Sequence, residues 1–146
     1  MSHRISFKQN ERNRKYKNKE RNMRILLIDD DKDLCHLTKT ALSKHGYEVT
    51  AFHKAEEGIQ YAQNTKPNLI LMDVMLPGLN GAEAVKALKA DVVLRNVPVI
   101  FLTALVAGEE KNLEDMGLNV DGLHYRTLGK PYEIEKLLEV VKRHAK

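Results

Sequence analysis

Apolar residues in this chain come in short unbroken runs, separated by stretches with helical spacing. The run MRILLID from Met23 stops at acids. DKDLCHLTKTALSKHG follows, with Leu34, Leu37, Ala41 and Leu42 expected on one helical face, acids in the first turn and Gly46 as a stop. YEVTAF is short and rich in strand formers, and KAEEGIQYAQNTK is helical up to Pro67. NLILMD, GAEAVKALKAD and VPVIFLTA predict a third strand, a third helix and a fourth strand, with Pro98 near the strand's start where proline is tolerated. AGEEKNLEDMG predicts a weakly apolar fourth helix, and an extended segment is expected around Gly122–Leu128. PYEIEKLLEVVKRHAK closes the series, with Ile134, Leu137, Leu138 and Val141 at helical spacing and Pro131 suited to a first turn.

Alternating strand–helix units build a parallel sheet covered by helices on both faces, joined by right-handed crossovers. The five units here predict an α/β fold, a flavodoxin-like (βα)5 doubly wound parallel sheet with strand order 2-1-3-4-5.

In such a sheet every strand ends on one edge, where open α/β sheets bind ligands. The third run climbs through apolar residues to Asp73 and then turns at Pro77-Gly78. A carboxylate inside that strand would cost several kcal/mol or stay protonated. At the strand's end it costs little, so Asp73 reads as a placed chemical group. The same edge collects Asp29, Asp30 and Asp31 from strand 1, Thr103 and Ala104 from strand 4, and Lys130 ahead of the last helix. Asp29–Asp31 alone could simply cap a helix, and Asp73 alone could be a turn residue. The combination at successive strand ends is what carries specificity. Carboxylates gathered this closely repel, and a divalent cation resolves the repulsion. Oxygen-only ligands suit Mg2+, and with no Cys/His cluster a zinc site is not expected. A carboxylate beside Mg2+ and a lysine is a nucleophile suited to a phosphoryl electrophile.

Charge divides the chain. Residues 1–22 carry net +6 and the remaining residues net −2, so the sequence pI of about 9.1 belongs to the arm. The arm has no periodic apolar residues and is expected to be disordered, with the folded domain over 23–146. Met23 as a natural start, a solvated tail and a polyanion-binding arm all remain open. Nucleic-acid binding by the folded domain is not expected. The composition fits a soluble globular domain, and no apolar stretch approaches the roughly 18 residues of a membrane span. With no signal-like segment and a single cysteine, Cys35, the expected location is the cytoplasm, with Cys35 as a small core residue. The six histidines are scattered and read as surface or packing residues.

The segments ILLIDDD, LILMDVMLPGLNG, VIFLTA and GKPY resemble those of the response-regulator receiver domain of two-component signalling, from Met23 to about His144. The resemblance implies that Asp73 takes a phosphoryl group from a phosphohistidine on a sensor histidine kinase or a histidine phosphotransfer protein. It implies that Asp30, Asp73 and the backbone carbonyl of Met75 ligate Mg2+, with Asp29 acting through a coordinated water. Lys130 would pair with Asp73 and then with the phosphoryl oxygens. Thr103 would swing to hydrogen-bond the phosphoryl group, small Ala104 would leave access to it, and Lys130–Pro131 would be cis. Water-orienting positions in the family fall two residues after Asp73 and Thr103, here the apolar Met75 and Leu105. The family's switch aromatic falls three residues before the lysine, where this chain has Thr127; Tyr125 is the alternative ring. The stretch from Thr103 to Lys130 is also several residues longer than usual.

No output domain follows the last helix in the sequence, so the expectation is a stand-alone receiver. It would bind a downstream partner through the fourth helix and fifth strand, or relay its phosphate, and would catalyse nothing beyond its own phosphorylation and dephosphorylation. An aspartyl-nucleophile Mg2+ phosphatase is the rival, and Met75 stands where its second acid is needed. A nucleotide or flavin binder lacks a Gly-rich loop after strand 1. A DNA-binding regulator would have to act through the arm.

Overall fold

The computed structural model describes residues 23–76, 78–104, 118–120 and 122–144. The chain runs β1 (Arg24–Ile28), α1 (Lys32–Lys44), β2 (Glu48–Phe52), α2 (Ala55–Thr65), β3 (Leu69–Asp73), the two-residue strands β4 (Met75–Leu76) and β5 (Leu79–Asn80), α3 (Gly81–Ala90), β6 (Val99–Ala104), β7 (Leu118–Val120), β8 (Leu123–Lys130) and α4 (Ile134–His144). Five parallel strands lie in the order β2-β1-β3-β6-β8, the expected 2-1-3-4-5.

The continuous apolar runs are explained by burial on both faces. Alternate residues of the central strands feed two cores. Leu26, Ile28, Ile70, Met72 and Phe101 pack toward α2 and α3, while Ile25, Leu27, Leu71, Ile100 and Leu102 pack toward α1 and α4. Gly58 lets α2 approach β1 closely. A Cβ there would run into Cδ1 and Cγ1 of Ile28, a fully buried side chain that would have to shift within the core. Gly58→Ala is therefore expected to destabilise by about 1–2 kcal/mol despite the better helix propensity of alanine. A lower urea midpoint at unchanged slope would show it.

The structure departs from the sequence expectation in four places. The segment before Lys130 is a hairpin: β7 pairs antiparallel with β8, Val120 opposite Leu123, and adds a sixth strand at the sheet edge. Gly122 in its loop has φ +81°, a conformation that favours glycine. The face of α1 is turned. Cys35, Thr38 and Leu42 are buried, while Leu37 is 63% exposed. Thr38 can be buried because its hydroxyl lies 2.6 Å from that of Tyr132. In α4 the buried residues are Leu137, Val140 and Val141, and Ile134 is exposed. Pro131 precedes α4 rather than opening it, because the helix starts at Ile134. The helix expected over 107–117 and the arm over 1–22 lie outside the described residues.

Candidate functional site

Local chemistry ends β1 in three acids. Asp31 caps α1, its carboxylate accepting from the Leu34 amide at 3.0 Å, and its own amide donates to Oδ1 of Asp29 at 3.0 Å. Asp29 is thereby turned inward and fully buried, whereas Asp30 is exposed. Asp73 ends β3 with 5% exposure, and its Oδ1 accepts from the Met75 amide at 3.0 Å.

Lys130, the last residue of β8, reaches back across the edge. Its Nζ donates to Oδ2 of Asp29 at 2.8 Å and to Oδ2 of Asp73 at 3.2 Å. Burial alone would lower the lysine's pKa, but the hydrogen bond and charge of Asp29, helped by Asp73, raise it, so the ammonium persists. Burial dominates at Asp29 and raises its carboxyl despite Lys130. Among the carboxylates gathered here, Asp29, Asp30 and Asp73 each place one oxygen within 4.8 Å of the others. Three carboxylates against one ammonium leave the cluster short of positive charge.

A divalent cation fits that set. Opposite oxygens of an octahedral Mg2+ shell are about 4.1 Å apart. The cluster would need only a small contraction, or a water in place of one carboxylate. Asp29 and Asp73 both hold hydrogen bonds on both oxygens, and Asp29, the more buried and the closer to Lys130, is the one suited to the water. The other expected residues fall around this centre. Met75 contributes its amide, and its side chain is 76% exposed. Thr103 and Ala104 end β6 in register with Gly129 and Lys130, and the Thr103 hydroxyl lies 3.5 Å from the Ala104 carbonyl. Lys130–Pro131 is cis. Tyr125 and Thr127 are both buried, the tyrosine ring meeting Phe101 edge-on at 5.6 Å.

Two supports escaped the sequence reading. The carbonyl of Asp29 accepts from Nδ1 of His53 at 3.0 Å and from Sγ of Cys35 at 3.4 Å, which pins the backbone between two of the acids. Burial, reinforced by Asp29 and Asp31, pushes the Cys35 thiol up to about 11, so it stays protonated as that donor. Tyr132 ties the segment after Lys130 to α1 through Thr38, and burial pushes its phenol up to about 12. Only the fold brings residues so far apart in sequence together.

Fold and site together define an α/β module with an acidic pocket at its carboxyl edge. Residues 25–142 match the family described as response regulator receiver domain, and the chain belongs to that family of two-component signalling proteins. It is 38% identical over 115 residues to the uncharacterized transcriptional regulatory protein YkoG of Bacillus subtilis (strain 168), covering 78% of this chain and 47% of YkoG. The chain thus spans about half the length of that relative. It is 31% identical over 118 residues to protein PilH of Pseudomonas aeruginosa, covering 81% of this chain and 93% of PilH. Among solved structures, the receiver domain of sensor histidine kinase PA1611 from P. aeruginosa PAO1 superposes with a TM-score of 0.68 at 29% identity, covering 84% of this chain and 97% of that one. That structure has a magnesium ion coordinated in its active site cleft. Receiver domains are phosphorylated by histidine kinases, bind Mg2+ in an acidic pocket and interact with downstream targets. No helix among the described residues is long and apolar enough to cross a membrane.

Proposed function

We propose that Asp73 accepts a phosphoryl group from a phosphohistidine, in a cytoplasmic Mg2+-dependent reaction carried by residues 23–146. The observation that supports this most is the Lys130 ammonium bridging Asp29 and Asp73 at the mouth of the acidic cluster. A carboxylate oxygen of Asp73 attacks phosphorus, the P–N bond breaks, and its electron pair leaves with the imidazole, which takes up a proton. Lys130 holds Asp73 in place beforehand and turns to the phosphoryl oxygens afterwards. Asp30, Asp73 and the Met75 carbonyl would hold Mg2+, with Asp29 binding through water; the ion would offset negative charge on the transferred group. Thr103 follows the phosphoryl group with its hydroxyl, and Ala104 leaves the approach open. Incubation with a small phosphodonor is expected to add one phosphoryl mass with Mg2+ and none with a chelator. An equal gain in both would count against the reading.

The aspartyl phosphate is expected to be long-lived, because Met75 at the site mouth has no group able to hold an attacking water. Met75→Asn should shorten its lifetime severalfold, followed by decay of the mass shift. Output is carried by the Tyr125–Thr127 strand or by a shift of the 118–128 segment, read by a downstream protein at β8 and at the helix expected over 107–117, outside the described residues. The tyrosine ring already fills the core beside Phe101, so a moving Thr103 would act on a packed neighbour. Partner affinity with and without beryllofluoride should change less in Tyr125→Ala or Thr127→Ala. Full retention of the change in both variants would place the switch elsewhere.

A further inference from the structure

Each helix returns from the carboxyl edge to the opposite edge, so strand starts and helix ends meet at the amino end of the sheet. Basic residues collect there. Arg24 opens β1 and donates to the carbonyl of Lys66, the cap of α2, at 3.1 Å. Lys89 ends α3 and donates to the carbonyl of Arg95 at 2.5 Å. Arg126 pairs with Ile100 midway along β8, on the sheet face toward α4, and Arg143 lies in the last turn of α4. Lys89, Lys66 and Arg143 suit helix C-termini and need no other account. Arg24, Arg95 and Arg126 do not lie in helices, and all three are exposed. After burial, Arg126 and Arg143 hold the His144 imidazole below its usual pKa, a sign that like charges are crowded here. Of the acids at this end, Asp91 accepts from the Val93 amide at 2.8 Å, Glu139 faces Arg143 at 3.0 Å, and Glu48 is exposed at the start of β2 in register with Arg24.

The turn between α3 and β6 lies at the same end and is built to display two apolar residues. Asp91 fixes its backbone, Leu94 and Val97 plug it into the core, and Lys89 ties down Arg95. What it shows to solvent is Val92, 75% exposed, and Val93, 45% exposed. Met23, which joins the net +6 segment 1–22 to β1, is at this end as well. The net −2 of the rest of the chain therefore conceals a polarised molecule, with Asp29, Asp30 and Asp73 at one end and the arginines at the other.

We propose that this amino end docks on an anionic lipid surface, with Val92 and Val93 entering the interface and Arg95 and the other cations of this end on the headgroups. Exposed valines flanked by lysine and arginine gain from an acyl boundary and gain nothing from a nucleic-acid phosphate backbone. Docked this way, the acidic pocket faces away from the surface and stays open to a phosphodonor. The reading is independent of phosphoryl chemistry at Asp73.

The test is co-sedimentation of the full chain with vesicles of phosphatidylcholine, with and without phosphatidylglycerol, beside titration of a labelled DNA duplex. Binding is expected only to the phosphatidylglycerol vesicles, weakening as salt rises. The double variant Val92→Asp/Val93→Asp should bind roughly tenfold or more weakly. Arg95→Glu/Arg126→Glu should lose a similar factor, and both pairs are exposed enough to leave the melting temperature near wild type. No vesicle binding, or equal binding to neutral vesicles, overturns the proposal. So does vesicle binding indifferent to both variants, which would assign it to residues 1–22 alone. Duplex binding that exceeds vesicle binding and ignores the valine changes would overturn it in favour of a nucleic-acid partner.

Discussion

Asp73→Asn is expected to gain no phosphoryl mass under conditions that fully modify the wild type, and to unfold at a higher urea concentration when divalent cations are removed. The two effects have one origin. Asp73 sits with two other carboxylates around a single ammonium, a cluster that in the proposed reaction would supply a nucleophile and cation ligands at the expense of repulsion. Removing one negative charge abolishes the nucleophile and relieves the repulsion, worth about 1 kcal/mol. Added Mg2+ should reverse the order. At a hundredfold excess over its dissociation constant a bound ligand stabilises by about 2.7 kcal/mol. The wild type gains that, and the variant, short of one ligand, gains less. Mass spectrometry and paired denaturation curves read both. A variant that keeps the mass shift would remove Asp73 from the role, and one that is destabilised without Mg2+ would contradict the charge argument.

Lys130→Met should cost about 3 kcal/mol of stability without cation and slow phosphorylation strongly. Methionine keeps the stem and deletes the ammonium, leaving Asp29 buried with no counter-charge. Breaking a buried pair from one side costs roughly 3–5 kcal/mol, taken at the low end because the lysine head is partly exposed. Asp29→Asn in the same background should recover most of the loss, a coupling that a double-mutant cycle reads directly. If the single and double variants are equally unstable, the lysine is contributing packing rather than charge. Phosphorylation should not recover with stability, since the ammonium is absent in both.

What could be read from the sequence follows from where the physics is local. β1, β3 and β6 are buried on both faces, so their apolar runs are continuous, and their acids mark where burial stops. Order and edge then bring Asp29, Asp73 and Lys130 together without any coordinates. The β7–β8 hairpin has one local signal in the sequence, the Asp121-Gly122 pair, and β7, with only three residues, is too short for a visible period. The rotated face of α1 was not legible, because Thr38 looks polar until Tyr132 supplies its partner from the far end of the chain. His53 was unreadable for a similar reason. Its contact is to a backbone carbonyl, and side-chain spacing carries no trace of such a bond.

The bond between Lys130 and Asp29 joins residues 101 positions apart, and β8 is the last strand among the described residues. Closing a loop of that length is entropically slow, and contacts of this kind form late in folding. During synthesis the acids of β1 and β3 emerge long before their lysine. A nascent or C-terminally clipped chain would hold its carboxylates without the counter-charge that gathers them. The pairing of Lys130 with Asp29 and Asp73, on which the proposed phosphoryl transfer rests, is therefore complete only with nearly the whole domain in place.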